Sequence, residues 1–167
     1  MHKQMMVVIP GNQKNHVCEI FGYSTRGIPG LEVVGLGGKG KSIKEKFIYF
    51  NKRYKIPIPP RRFVLCVDDQ LLLTSKEGLY RWLELPFLIM YWSMAGVVPI
   101  ENLSNCLCSG TLSATGHVET LETETFMTGE VRELVENGYN VIAKSGESKL
   151  FENIIPLEEI IRAPLLI

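Results

Sequence analysis

Residues 35–42 read Gly-Leu-Gly-Gly-Lys-Gly-Lys-Ser and fit the phosphate-binding pattern G-x-x-x-x-G-K-S. In that pattern a glycine-rich turn between strand and helix lets successive backbone N–H groups wrap a triphosphate. Gly35 and Gly40 would shape the turn, Lys41 would reach the β/γ oxygens, and Ser42 would ligate magnesium. Asp68, just past the apolar run 63–67, would hold the same magnesium from the next strand, making Mg-ATP the implied cofactor. The context suits this chemistry, since residues 31–34 are strand-like and a helical pattern follows. The spacing does not. Residues 42–67, 26 in number, leave room for one helix and a turn, whereas nucleotide-binding folds place more sheet between these two strands.

A second set of residues could meet phosphates by charge alone. Between positions 39 and 62 lie nine basic residues, among them Lys44, Lys52, Arg53, Arg61 and Arg62, with Glu45 the sole acid. Such a stretch is either a nucleic-acid face or a solvated helix face, because helices often carry one sign locally. The cysteines offer less. Cys18, Cys66, Cys106 and Cys108 contain no C-x-x-C pair and the three histidines are scattered, so no zinc site is expected. Cys106 and Cys108 would point to one side of a strand as small buried residues.

These residues must be positioned by one core, since 167 residues suffice for one domain. Eighteen basic residues balance eighteen acidic ones, so no net charge draws the chain to nucleic acid or membrane. Residues 5–10 suit a first strand or sheet edge, and 16–23 and 31–36 suit further strands. From 41 to 55 the period becomes helical, with Ile43, Phe47, Phe50 and Tyr54 on one face and Lys44, Lys46 and Lys52 away from it. Pro57, Pro59 and Pro60 end that helix and lead to a buried central strand at 63–67. Residues 71–74 are apolar, and 79–95 form a long apolar helix.

Further strands are expected at 103–109, 110–116 (with a tight turn), 118–121, 139–143 and 154–155. Helices are expected at 128–137, 147–151 and 157–161. The uncharged segment 85–100 falls short of the roughly 20 residues a spanning helix needs, and reads as core. The first residues lack a signal-peptide pattern, which makes the cytoplasm the default compartment. Strands and helices in this order argue an α+β domain with a mixed sheet flanked by helices.

The order of short motifs resembles the N-terminal domain of the magnesium-chelatase-like AAA+ ATPases, the ComM/YifB group. These carry G-L-P and I-V-G-L, then E-S-R-E-R-V on a helix, P-x-R-R before a strand, K-E-G, F-D-L-P on a second helix, and G-E-L-S-L-D-G. The corresponding residues here are Gly27-Ile28-Pro29, Val33-Val34-Gly35-Leu36, Ser42-Ile43-Lys44-Glu45-Lys46-Phe47, Pro59-Pro60-Arg61-Arg62, Lys76-Glu77-Gly78, Glu84-Leu85-Pro86 and the 110–116 stretch. The likeness spans about residues 16–161. It implies one Lon-protease-like domain over 1–167, a fold shared with the second domain of a small-subunit ribosomal protein. The AAA+ module that follows this domain in the family is absent, and the chain is either an excised segment or a free-standing relative.

In Lon a serine–lysine dyad cleaves peptides. Here Lys76-Glu77-Gly78 runs into Leu79-Tyr80-Arg81 without a serine, and the lysine's place falls near Thr125 or Met127. The resemblance therefore implies no catalytic residue, no metal and no cofactor for this domain, although full-length relatives are ATPases. It further implies an accessory role in assembly, DNA contact or regulation, with hexamers formed through the AAA+ module. Two departures stand out: Asp68-Asp69-Gln70-Leu71-Leu72-Leu73 stands where the family has N-L-A-P-A-D after the P-x-R-R strand, and the 110–116 stretch lacks both acids of its motif.

Overall fold

The computed structural model describes residues 1–11, 14–144, 153–161 and 165. Among them, β1 is His2–Ile9, β2 His16–Thr25, β3 Gly30–Val34 and β4 Arg62–Val67. Later in the chain come β5 Cys106–Cys108, β6 Gly110–Leu112, β7 Val118–Thr120, β8 Asn140–Ala143 and β9 Ile154–Pro156. The α-helices are α1 Lys39–Arg53, α2 Gln70–Thr74, α3 Glu84–Met94, α4 Gly129–Glu136 and α5 Leu157–Ile160. Seven strands form one sheet in the order β3-β4-β2-β1-β5-β8-β9, and β6 and β7 pair separately as a hairpin. The sheet is mixed: β2 is antiparallel to both neighbours, and every other neighbouring pair is parallel. The architecture is α+β, a mixed sheet flanked by helices.

Sequence period explains the layers. Along β2, Cys18, Ile20, Gly22 and Ser24 are buried while Glu19, Phe21, Tyr23 and Thr25 are exposed, the alternation of a strand with one covered face. The stripe on α1 packs as its spacing requires, with Ile43, Phe47 and Phe50 fully buried and the Tyr54 ring 4.7 Å from that of Phe50. Each such side chain contributes about 1.5–3 kcal/mol on burial. All eleven residues of α3 are buried, the pattern of a helix that is apolar all round. These helices build the larger core against Met5, Val7, Ile9, Ile20 and Leu65. A smaller core lies on the other face, where Val8, Leu107 and Val141 meet Val131 and Val135 of α4.

Several boundaries differ from the sequence expectation. β1 lies inside the sheet between β2 and β5, not at an edge. The apolar stretch expected as one helix over 79–95 divides into a 3-10 segment, Gly78–Leu83, and α3. Pro86 explains the division: it lacks an N–H and is tolerated only in a first turn, so the α-helix must begin close before it. Residues 70–74 form a helix, because the Asp69 carboxylate accepts the Leu72 N–H at 3.1 Å and caps it. The helix expected at 147–151 lies outside the described residues. No helix among the described residues is long and apolar enough to cross a membrane.

Candidate functional site

The glycine-rich turn stands where the parallel strands end, the usual side for ligands in such sheets. Val34 pairs with Cys66, so Gly35 leaves β3 beside Val67 and the turn lies next to Asp68. Gly35 has φ +105°, and a Cβ there would stand 1.7 Å from the Val67 carbonyl oxygen. Only glycine fits. The turn then tightens onto itself: the N–H of Lys39 donates to Leu36 O at 3.2 Å and that of Gly40 to Gly37 O at 3.3 Å. α1 begins at Lys39, capped by Gly38 in helical conformation with no side-chain cap.

The residues of the phosphate pattern are thus spread out. Lys41 and Ser42 are exposed in the first turn of α1, and the Ser42 hydroxyl donates back to Lys39 O at 3.0 Å. Gly40 is buried, with the space for a side chain taken by the Val33 carbonyl oxygen 2.9 Å away. Asp68 is exposed at the end of β4. The anchored lysine is Lys39, whose Nζ donates to Leu72 O at 3.2 Å and Ser75 O at 2.5 Å and lies 5.8 Å from the Tyr80 ring centre. These carbonyls close α2, so this cation answers a helix C-terminus.

A polar pair lies at the same sheet end. His16 Nε2 and Asp69 Oδ2 are 2.6 Å apart, joining the first residue of β2 to the residue that caps α2. Sequence reasoning missed this pair, because positions 16 and 69 meet only when β2 lies against β4. Cys18 lies one step further along the inner side of β2. Burial, and secondarily the Asp69 carboxylate, push its thiol up to about 12. Burial also raises Cys106 to about 11 and pushes Cys66 and Cys108 upward. None is an activated thiolate, for which a lowered pKa is required.

The most enclosed charges form a third cluster. Glu84, only 1 % exposed at the start of α3, accepts from Lys46 of α1, from Arg81 Nε at 3.3 Å, and from the Leu112 N–H of β6 at 3.1 Å. Lys46 Nζ also donates to Leu112 O at 2.7 Å. A buried carboxylate therefore ties two helices to the hairpin, with its lone pairs answered. The helical period set Lys46 outside the apolar stripe, and the structure turns it to this contact at the edge of that stripe. Nothing local in the sequence announced its partner 38 residues on.

The basic segment is likewise divided. Lys52 and Arg53 are exposed at the end of α1, with Arg53 bonded to Tyr49 Oη at 3.3 Å and 5.3 Å from the Tyr54 ring centre. Lys44 is half-buried, as is Arg61. Arg62 bonds the Glu32 carboxylate at 2.9 Å.

No model of a known protein family matches the chain, and no curated protein matches it. Around the places where a Lon-like dyad would stand, Leu79, Tyr80 and Arg81 lie in the 3-10 segment. Thr125 is half-buried, and its carbonyl accepts from Asn15 Nδ2 at 3.4 Å. The side chain of Met127 is outside the described residues. No group of three or more metal-ligating side chains occurs among the described residues.

Proposed function

We propose that this chain is a Lon-like, non-catalytic accessory domain of a magnesium-chelatase-like AAA+ ATPase of the ComM/YifB type. It serves assembly, DNA contact or regulation, and the attached AAA+ module supplies ATP hydrolysis and ring formation. The observation that carries the reading is the Lys46–Glu84–Leu112 contact. Lys46 belongs to the stretch resembling E-S-R-E-R-V, Glu84 to that resembling F-D-L-P, and Leu112 to that resembling G-E-L-S-L-D-G. Three motifs dispersed along the chain meet at one buried ion pair, as motifs of a shared architecture should. The step from fold to accessory role is by analogy.

DNA contact through Lys44, Lys52, Arg53, Arg61 and Arg62 is tested by fluorescence anisotropy with duplex DNA at about 50 and about 200 mM salt. Phosphate contacts make affinity fall steeply with salt. The Lys52→Glu/Arg53→Glu double variant is expected to weaken binding further. Binding that is absent, or indifferent to salt, removes the DNA part of the reading.

The rival reading, a small nucleotide-binding protein using Gly35, Gly40, Lys41 and Ser42 with magnesium on Ser42 and Asp68, has one observation in its favour. β3 and β4 are parallel neighbours joined through α1, so the turn and Asp68 do share one sheet end. The turn hydrogen bonds of Lys39 and Gly40 weigh against it, since those N–H groups would have to face phosphate. Calorimetric titration of Mg-ATP into wild type and Lys41→Ala separates the two. Heat that the substitution abolishes supports nucleotide binding, and no heat from either supports the accessory domain.

A further inference from the structure

The second helical layer covers its face of the sheet only in part. The core under α4 includes Val8 and ends at Met6 and Val17. Beyond that margin, strand register sets out what the same face presents. Gln4, Phe21, Cys66 and Val34 form one row across four strands, and His2, Tyr23, Val64 and Glu32 form the next. Phe21 is 43 % exposed, Tyr23 38 % and Val34 47 %. The two rings stand at alternate positions of one strand, roughly 7 Å apart. Arg62 bonds Glu32 at 2.9 Å, and its strand position, opposite Thr25, lies two residues along β2 from Tyr23.

The sheet end that borders this face carries arginines. Thr25 pairs with Arg62, and the Gly30 N–H donates to Arg61 O at 3.2 Å, which brings Arg26, Arg61 and Arg62 to the same sheet end. Among the described residues, strand register puts Glu32, answered by Arg62, on the face and Glu19 at its far end beside Met6.

We propose that this bare sheet face binds single-stranded nucleic acid. Phe21 and Tyr23 each stack one base, His2 and Gln4 lie beside the base edges, and the arginine end receives phosphates. Separate aromatic rings on an open sheet, with cations at one end, are what unpaired bases use. A second copy of the chain fits less well. The apolar positions are interrupted by His2, Gln4, Glu32 and Arg62, whereas a stable dimer needs on the order of 1,200 Å² of continuous, well-packed surface. The inference deepens the DNA-contact reading above and so rests on it, but it uses a surface that α1 does not share.

The test is fluorescence anisotropy of the full chain with labelled dT12, rU12 and a duplex of equal length. Wild type is compared with Phe21→Ala, Phe21→Leu, Tyr23→Ala and Lys52→Glu/Arg53→Glu, with circular dichroism melts on each. Phe21→Leu keeps apolar cover over Cys66 and removes only the ring. The expected result is preference for single strands, weakened roughly five- to hundredfold by each ring substitution, with Phe21→Leu behaving like Phe21→Ala. Loss in Lys52→Glu/Arg53→Glu alone, with duplex preferred, overturns the sheet-face proposal and leaves the α1 reading standing. No binding to any strand overturns both. Concentration-dependent dimers that Phe21→Leu abolishes, without nucleic-acid binding, assign the face to a second copy and overturn the proposal.

Discussion

Lys46→Met is the most informative single substitution. It keeps the unbranched apolar stem and removes the charged end, leaving Glu84 buried with two donors in place of three: Arg81 Nε at 3.3 Å and the Leu112 N–H at 3.1 Å. Removing one partner of a buried ion pair costs about 3–5 kcal/mol. Arg81 is 46 % exposed and screened by solvent, yet it still answers part of the charge, so the low end applies, about 3 kcal/mol. In a chain of this size that lowers Tm by about 6–12 °C. The Leu112 carbonyl also loses its lysine, which should loosen the β6–β7 hairpin before the sheet. Urea unfolding at unchanged m-value measures the first effect, and amide hydrogen exchange at residues 110–120 the second. Glu136→Gln is the control: its pair with Arg132 is exposed on both sides, and its loss costs less than about 0.5 kcal/mol. If Lys46→Met costs no more than Glu136→Gln, the buried pair does not hold the helices to the hairpin.

Two further outcomes follow from local geometry and burial. Gly35→Ala should destabilise by more than about 3 kcal/mol, because it joins backbone strain to a clash with the Val67 carbonyl. Gly38→Ala meets open space at φ −64° and should be neutral or stabilising by about 0.4–1 kcal/mol, readable in the same urea curves. Stability should also fall as pH climbs above about 9. Below 9.0, the ordinary thiol value, Cys18 is protonated folded or unfolded and contributes nothing to the pH dependence; between there and about 12 only the unfolded thiol ionises, which favours unfolding. Native alkylation at pH 8 should accordingly be slow. Denaturation midpoints at pH 8 and 10 in wild type and Cys18→Ala check the sign, since the variant should lose less.

Period and punctuation in the sequence were enough to determine the elements that bury one continuous face. Ile43, Phe47 and Phe50 repeat at helical steps and lie in the core; residues 63–67 are an unbroken apolar run and form a strand buried on both faces. Those signals are local, since a helix or strand must repeat its apolar residues at its own period to be covered. Pairing across distance was not legible. The lysine anchored beside the glycine turn is Lys39, not Lys41, because the carbonyls ending α2 that hold it lie across from the helix start only after β3 and β4 pair. Glu84 meets Lys46, and His16 meets Asp69, by the packing of whole elements, and neither partner leaves a mark in its neighbours. Exposure of Phe21 and Tyr23 was equally hidden, since alternation fixes which residues share a face but not whether a second layer covers it. The chain alone determined the segments whose apolar residues repeat at one clear period; the tertiary structure decided which charges are neutralised and which aromatic rings remain open to water.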